Sequence, residues 1–438
     1  MPASVDLPQW IPSGVAGPVL VGFSGGLDST VLLHRLAVDR DVRAQGLRAV
    51  HVHHGLQPAA DDWAAHAVQT CAALDVPLEI HHARVQRDAG HGMEAAARHA
   101  RYAAFDARLQ PGGILALAHH LDDQAETFLL RALRASGVEG LSAMRPWRAH
   151  GTGWLWRPLL ATPRAHLFHQ ARDQALLWIE DPSNAGLDPD RNFLRHAVLP
   201  RLRERWPHAA EGLARSAGFA AQASDLLAAD DAEAFAAARC DDPAVVRVDV
   251  LGTLPAARRA RALRHWIATL GLPPLPANGV ACIEQMLASK ARDGDACFDY
   301  AGTRVQRWRG LLHAGPVRAP LPPDLDLTWD GTSPLALPDG GALRLEADAL
   351  ALRFDAPLRV HARRGGERIR LPGRGHHHSL KQVLQMLDVP RWERAHLPLL
   401  STADGSLLAA GDRVLSAGFD QWLRTRHARL RWTPPGSR

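Results

Sequence analysis

The first residues able to do chemistry are Ser24, Gly25, Gly26, Leu27, Asp28 and Ser29, directly after the apolar run 18–23 (PVLVGF) and at the start of a helical apolar pattern. A strand that turns sharply into a helix presents free backbone N–H groups and the positive end of the helix dipole, which together attract an anion. Gly25 and Gly26 allow the backbone to approach closely, and the Ser24 and Ser29 hydroxyls add donors. Asp28 is an odd neighbour for a phosphate unless a Mg²⁺ ion lies between them. The plainer reading is a serine-capped helix after a tight turn. The strand–turn–helix context favours a nucleotide site, although neither GxxxxGK[ST] nor GxGxxG is present.

Three further clusters fall where strands end. His51, His53 and His54 close the second apolar run, with His51 and His53 on one face and His54 on the other. No carboxylate or cysteine in that string completes a metal cage. Glu94, Arg98, Arg101 and Tyr102 share one helical face, a pattern that surface ion pairs also produce. After the run 114–118 (ILALA) come His119, His120, Asp122, Asp123 and Glu126. Asp123 and Glu126, three apart, share one side of a first helical turn, yet Asp-x-x-Glu is also a common capping box. Farther on, Asp181-Pro182-Ser183-Asn184 reads as a turn, followed by a basic helix start with Arg191 and Arg195. Near the end, Arg368, Arg374 and Lys381 surround the tract 376–378 of three histidines, a polar loop able to contact phosphate.

The elements that must position these groups follow from periodicity. Runs 18–23, 47–52, 76–80 and 114–118 read as buried strands, and 27–36, 61–74 and 94–109 as helices between them. Such alternation predicts a Rossmann-like α/β domain, a parallel sheet with helices on both faces and ligands beyond the carboxyl ends of its strands. This domain is expected over 1–205, with 136–200 loosely patterned. A mainly helical domain over 206–317 follows, carrying a short β signal at 297–312. The Pro/Gly/Asp-rich stretch 318–350 reads as a linker, and a small α+β domain with one helix (380–387) fills 351–438.

Composition sets limits without choosing a function. Hydrophobic residues are 46% and charged residues 22%, ordinary for a globular protein with real cores. No run is long enough to span a membrane and the N-terminus lacks a signal-peptide pattern, so a cytoplasmic protein is expected. Two of the 51 basic residues are lysine (Lys290, Lys381). An arginine excess suits RNA, although high-GC codon usage produces the same bias. Four scattered cysteines (Cys71, Cys240, Cys282, Cys297) read as reduced core residues.

The string 24–29 resembles the SGGxDS signature of PP-loop ATP pyrophosphatases, which split ATP between the α and β phosphates, adenylate a substrate oxygen and release pyrophosphate. The wider set is similar to tRNA(Ile)-lysidine synthetases over nearly the whole chain. The strings carrying the likeness are 51–56 (HVHHGL), the helix of Glu94 to Tyr102, 119–127 (HHLDDQAET), Asp181-Pro182-Ser183-Asn184 with Arg191-Asn192, and 363–400. Arg134 with Gly137 and Gly140-Leu141, and Arg157-Pro158-Leu159-Leu160, match further family blocks.

The resemblance implies an ATP- and Mg²⁺-dependent ligase that adenylates the wobble cytidine of the CAU anticodon in tRNA(Ile) and then attaches free L-lysine. It implies ATP at residues 24–29, with Asp28 catalytic and beside Mg²⁺, and His51 and His53 on the adenosine side, where His53 replaces the usual Asn. Asp123 and Glu126 are then lysine-binding and catalytic, and His119 handles nucleotide or proton. Arg98, Arg101, Arg191, Arg195, Arg368, Arg374 and Lys381 are expected on tRNA or phosphate. A homodimer is compatible with the sequence and is not specified by it. The rivals are a PP-loop tRNA thiolase, which wants a reactive cysteine pair or iron–sulfur site, and a catalytically silent tRNA-binding protein, which predicts lost loop residues.

Overall fold

In the computed structural model the described residues are 15–55, 59–83, 93–182, 186, 188–276, 278–288, 296–347 and 352–434. Ser183 and Asn184 of the expected turn and the side chain of Glu94 lie outside them. The chain divides into two compact units, one up to Ala229 and one from Asp230 onward.

The first unit runs β1 (Val19–Gly22), α1 (Leu27–Val38), α2 (Arg40–Ala44), β2 (Leu47–His53), α3 (Ala60–Ala73), β3 (Leu78–His82), α4 (Met93–Asp106), β4 (Ile114–Ala116) and α5 (Leu121–Leu133). It continues with α6 (Val138–Leu141), β5 (Trp147–His150), β6 (Gly153–Trp156), α7 (Arg164–Asp173), α8 (Asp190–Phe193), a π-helical turn (Leu194–Val198), α9 (Leu199–Arg205) and α10 (Ala209–Ala238), which crosses into the second unit. The sheet order is β3-β2-β1-β4-β6-β5, parallel except for the edge strand β5.

Strand alternation sorts side chains into two cores. Val19, Val21, Ala49, Ile114, Ala116 and Trp156 face α1 and α7, joining Leu32, Leu36 and Leu167. Leu20, Val50, Leu115 and Leu155 face the other way and meet Phe105 of α4. Helices therefore cover both faces, as expected. The order reverses at β1 and β4, whose neighbours lie on opposite sides, and this is where doubly wound sheets open a crevice.

Two expectations about this unit need correcting. The third strand is not 76–80 but Leu78–His82, because Val76 completes the end of α3. Its N–H bonds the Cys71 carbonyl while Asp75 sits at φ 52°, a left-handed helix stop with an apolar plug. The loosely patterned stretch 136–200 belongs to the sheet unit as expected, and supplies β5, β6 and α7. Finally, the first unit runs past 205, since Ala210, Leu213 and Ala214 of α10 pack on Leu121 and Ala125 of α5 and on Leu199 of α9.

In the second unit α11 (Val248–Thr253), α12 (Ala256–Thr269) and α13 (Gly279–Ala288) share a core with an antiparallel sheet ordered β7-β10-β9-β8. Its strands are β7 (Val245–Arg247), β8 (Cys297–Tyr300), β9 (Thr303–Trp308) and β10 (Leu311–Pro316). A further core is built from β11 (Asp326–Trp329), β12 (Leu335–Ala336), β13 (Ala342–Ala347), β14 (Leu358–His361), β15 (Arg368–Ile369), β16 (His378–Ser379), α14 (Leu380–Met386), α15 (Arg391–Arg394), β17 (Leu399–Ser401), β18 (Leu407–Ala410), β19 (Val414–Leu415), α16 (Ala417–Thr425) and β20 (Ala428–Thr433). The stretch read as a linker is part of this fold: β11 pairs with β14, β13 pairs with β20, and Leu325, Trp329, Leu337 and Leu343 are buried. Its prolines and glycines punctuate short strands rather than separate domains. The expected single helix is joined by α15 and α16.

Candidate active site

The loop after β1 is held from three sides. Its root is fixed by the Phe23 N–H on the Val50 carbonyl, and Phe23's own carbonyl accepts from buried His51 Nδ1 at 3.0 Å. The Gly25 carbonyl accepts from the Ile179 N–H at 2.9 Å. Within the loop, the Ser24 and Ser29 hydroxyls lie 3.0 Å apart and Ser29 donates to the Gly26 carbonyl. The first α1 backbone bond is Thr30 N–H to Gly26, which leaves the Leu27, Asp28 and Ser29 N–H groups in the first helical turn for a ligand. Leu27 can contribute only through its backbone, because its side chain belongs to the core.

Gly25 adopts φ +82°, and a Cβ there would stand 3.2 Å from Ile179 Cδ1 and 3.4 Å from His66 Cδ2. Gly25→Ala should therefore cost about 1–3 kcal/mol in holding this loop. The expected result is ATP binding weakened about tenfold or more, measured by calorimetric titration; unchanged affinity would mean that the loop is not the phosphate cradle.

Asp28 opens α1 into the crevice. Its Oδ1 is buried without a hydrogen-bond partner, and its Oδ2 lies 3.6 Å from His120 Nε2. Burial raises its pKa, with His120 and Arg164 opposing that rise. His120, itself buried, is the N-cap of α5, where its Nδ1 accepts the Asp123 N–H and the Asp123 carboxylate accepts the His120 N–H. The capping box anticipated at Asp123 and Glu126 thus lies one turn earlier, with histidine in the place usually taken by serine or threonine. Because Nδ1 accepts from the backbone, the ring proton sits on Nε2, between Asp28 and Asp123 (3.4 Å to Oδ2).

Asp123 and Glu126 face Arg191 and Arg195, which stand four apart on α8 and the π-helical turn. Arg191 donates to Glu126 (2.7 Å) and Asp123 (2.8 Å), and Arg195 donates to the same two groups at 2.7, 2.9 and 3.0 Å. Glu126 has no solvent exposure. Burial alone would raise the Asp123 pKa, but His120, Arg191 and His119 more than reverse it and leave it lowered. Two carboxylates and two guanidiniums make an electroneutral cluster. The arginines expected on tRNA are thus tied to the carboxylates expected to bind lysine.

Asp122 accepts from the Arg164 N–H at 2.8 Å, capping α7, and pairs with Arg203 of α9. This turns the Arg164 side chain toward Asp28 (Nε to Oδ1, 3.9 Å). His119 Nδ1 accepts from Arg157 Nε at 3.3 Å. Its pKa is pushed down to about 3, chiefly by burial, so His119 is neutral at pH 7 and poorly matched to act as a base.

The remaining expected residues lie farther out. His53 bonds Asp61 at 3.0 Å and packs against His82, which ties it to α3. Arg98 is exposed, its guanidinium 5.0 Å from the centre of the Tyr102 ring. Arg101 is also exposed, and its charge adds to burial in holding His54 down at about 4. Arg368, Arg374 and Lys381 are exposed in the second unit, around β15, β16 and α14, with the His376 and His378 rings 4.4 Å apart. Sequence reasoning gave no role to His120, Arg157, Arg164 or Arg203, although His120 and Arg157 stood in strings that carry the family resemblance. His120 stood next to the chosen His119, and only its place three residues before Asp123 hinted at a cap.

Comparison with known proteins follows this architecture. The PP-loop domain family matches residues 7–202, the TilS substrate binding domain 247–313 and the TilS substrate C-terminal domain 358–432. The tRNA(Ile)-lysidine synthase of Xanthomonas campestris pv. campestris (strain 8004) is 52% identical, covering 96% of each chain. The protein of that name from Xylella fastidiosa (strain Temecula1) is 50% identical over 99% of this chain and 98% of its own. This chain belongs to the tRNA(Ile)-lysidine synthase family. A solved structure described as the TILS C-terminal domain matches 26% of this chain and 99% of that one, at 28% identity and a TM-score of 0.21. The PP-loop match ends at residue 202, so it takes in Arg191 and Arg195 and stops just short of Arg203.

Proposed function

We propose that this protein ligates L-lysine to C2 of the wobble cytidine in the CAU anticodon of tRNA(Ile), consuming ATP. The observation that carries the reading is the convergence, in one crevice at the β1/β4 reversal, of an anion-binding helix start and a buried carboxylate helix joined by Asp28, His120 and Asp123. Family membership over nearly the full length supports it. In the first step the cytidine O2 attacks the α-phosphorus, the bond between the α-phosphorus and its bridging oxygen breaks, and pyrophosphate leaves. In the second, the lysine ε-nitrogen, having lost a proton, bonds to C2 and AMP departs with O2.

The Ser24 and Ser29 hydroxyls and the α1 N–H groups would cradle the triphosphate. Asp28, whose buried Oδ1 accepts no hydrogen bond, would hold Mg²⁺; when bound, that ion supplies charge neutralisation for the departing pyrophosphate. Among the described residues no three His, Cys, Asp or Glu side chains form a metal cage, so phosphate and water would supply most of the coordination. Asp123 and Glu126 would recognise the lysine ammonium as a third cation on their cluster. Arg98, Arg101, Arg191, Arg195, Arg368, Arg374 and Lys381 remain the proposed tRNA and phosphate contacts, and for Arg191 and Arg195 that role requires sharing with the carboxylates.

Arg164 belongs on the phosphate side by charge and position. Arg164→Ala should raise KM for ATP about tenfold with a smaller change in kcat, since a half-exposed cation mainly assists binding. A kcat loss with unchanged KM would assign it to the transition state instead.

A thiolase is disfavoured because the only cysteine of the first unit, Cys71, is buried and its thiol is pushed up to about 11. No helix among the described residues is long and apolar enough to cross a membrane, and a tRNA substrate fits a cytoplasmic setting. The test uses labelled lysine, ATP, Mg²⁺ and an unmodified tRNA(Ile) transcript bearing CAU. ATP-dependent label in the tRNA establishes the ligase; tRNA binding without label would point to another modification or to a silent binder.

A further inference from the structure

We propose that Arg157 is a positioning residue that fixes His119 as a neutral hydrogen-bond donor, its Nε2–H reserved for an oxygen of the bound substrates. This deepens the ligase reading and rests on ATP and cytidine occupying the crevice.

The argument starts from donor chemistry. A guanidinium has five N–H donors and no acceptor, and it stays protonated in proteins. Arg157 Nε meets His119 Nδ1 at 3.3 Å, so Nδ1 must offer its lone pair and the single ring proton must sit on Nε2. Among the described residues no group hydrogen-bonds Nε2. Arg157 is well placed to impose this choice because it is itself immobilised. It is buried, its Nη1 donates to the Arg145 carbonyl at 2.7 Å, and its backbone N–H donates to the Pro146 carbonyl at 2.8 Å. Arg145 is tied in turn to Asp225 by two bonds of 2.8 and 2.9 Å.

The balance of burial and charge around His119 also favours its neutral form. Asp123 favours its protonation, but burial together with Arg157, Arg191 and Arg98 outweighs that carboxylate. His119 stands two residues before the start of α5 and one before its cap His120. The two histidines therefore share a design: each has Nδ1 occupied by a donor, a guanidinium for His119 and a backbone N–H for His120, so that each carries its proton on Nε2. His120 turns that proton to the carboxylates, whereas His119 keeps it for a ligand. A neutral donor suits a phosphoryl or carbonyl oxygen that gains negative charge, and a fixed tautomer removes the cost of reorganising it during reaction.

The experiment is nitrogen-15 NMR of the imidazoles in the full-length protein, with His119→Asn to assign the signal. At neutral pH wild type should show a proton-bearing Nε2 and a bare Nδ1. Arg157→Gln, whose amide can both donate and accept, should give a mixture of tautomers and lower kcat roughly 10- to 100-fold; Arg157→Lys should restore the wild-type tautomer and part of the rate. ATP alone shifting the Nε2–H signal identifies a phosphate oxygen as acceptor, and a shift only with tRNA identifies the base carbonyl. An unchanged tautomer in Arg157→Gln, or no shift with either ligand, overturns the proposal. Because the tautomer is read in the free protein, its failure is separable from failure of the ligase assay.

Discussion

Asp28→Asn should reduce kcat for lysine transfer to tRNA at least about 100- to 1,000-fold, the scale lost when one charge-stabilising group is removed from a preorganised site. The same substitution should leave the fold intact and raise its melting temperature. The reason is the carboxylate's environment. Asp28 has a buried Oδ1 that accepts no hydrogen bond and has Arg164 Nε 3.9 Å away, and burial lifts its pKa above the ordinary carboxylate value against the pull of His120 and Arg164. A carboxyl whose folded pKa lies above its unfolded one binds more protons in the native state through that window, so stability falls as pH rises through it and stays reduced at neutral pH. Asparagine carries no charge and removes that cost. The substitution therefore separates chemistry from folding: activity down and melting temperature level or up supports Asp28 as a strained functional group. Parallel loss of activity and stability would make it a structural residue, and full activity would dismiss its role altogether. The expected sensitivity to Mg²⁺ gives a second handle, since wild type should be stabilised by ATP with Mg²⁺ far more than the variant is.

What the sequence made legible was what is local. The loop after β1 could be read because strand, glycines, serines and helix start are contiguous, and the sheet could be read because its strands are nearly continuous apolar runs. The boundaries failed where one residue type serves two purposes. Val76 looks like a strand residue and is a helix stop, and the prolines of 318–350 look like a linker and are turns between paired strands. The site's wiring was hidden for a different reason. Arg203 reaches Asp122 across 81 residues, Arg191 reaches Glu126 across 65, and Arg157 reaches His119 across 38. No periodicity encodes such pairings, because they are fixed by which strand ends the sheet order brings together. Arg191 and Arg195 were visible as a basic helix start and read as solvent- or RNA-facing; that they close on buried carboxylates needs the fold.

Glu126→Gln is expected to be the most destabilising single change in the site, by about 3 kcal/mol, the lower end of the cost of breaking a buried ion pair. The lower end applies because Arg191 and Arg195 keep side-chain exposures of 26% and 29%, so water relieves part of the unpaired charge. Glu126 has no such relief and accepts from both guanidiniums through both oxygens. Glutamine keeps the shape but accepts through one oxygen only, turning its NH₂ against a guanidinium. Adding Arg195→Gln to this variant should recover part of the loss, because it withdraws the stranded cation; a coupling of about 1–3 kcal/mol from denaturant unfolding of the four proteins of the cycle would measure the contact. A coupling near zero would mean that the cluster behaves like a surface ion pair. The same cluster predicts the acid limit of stability. Asp123 has a folded pKa below its unfolded value, despite burial, so its contribution is fully present above the ordinary carboxylate range and is lost as pH falls through the folded value. If lysine is the third cation on this cluster, Glu126→Gln also raises KM for lysine well before it affects KM for ATP. Equal effects on the two would shift lysine recognition away from Glu126 and leave the four-residue cluster as a brace for α5 against α8.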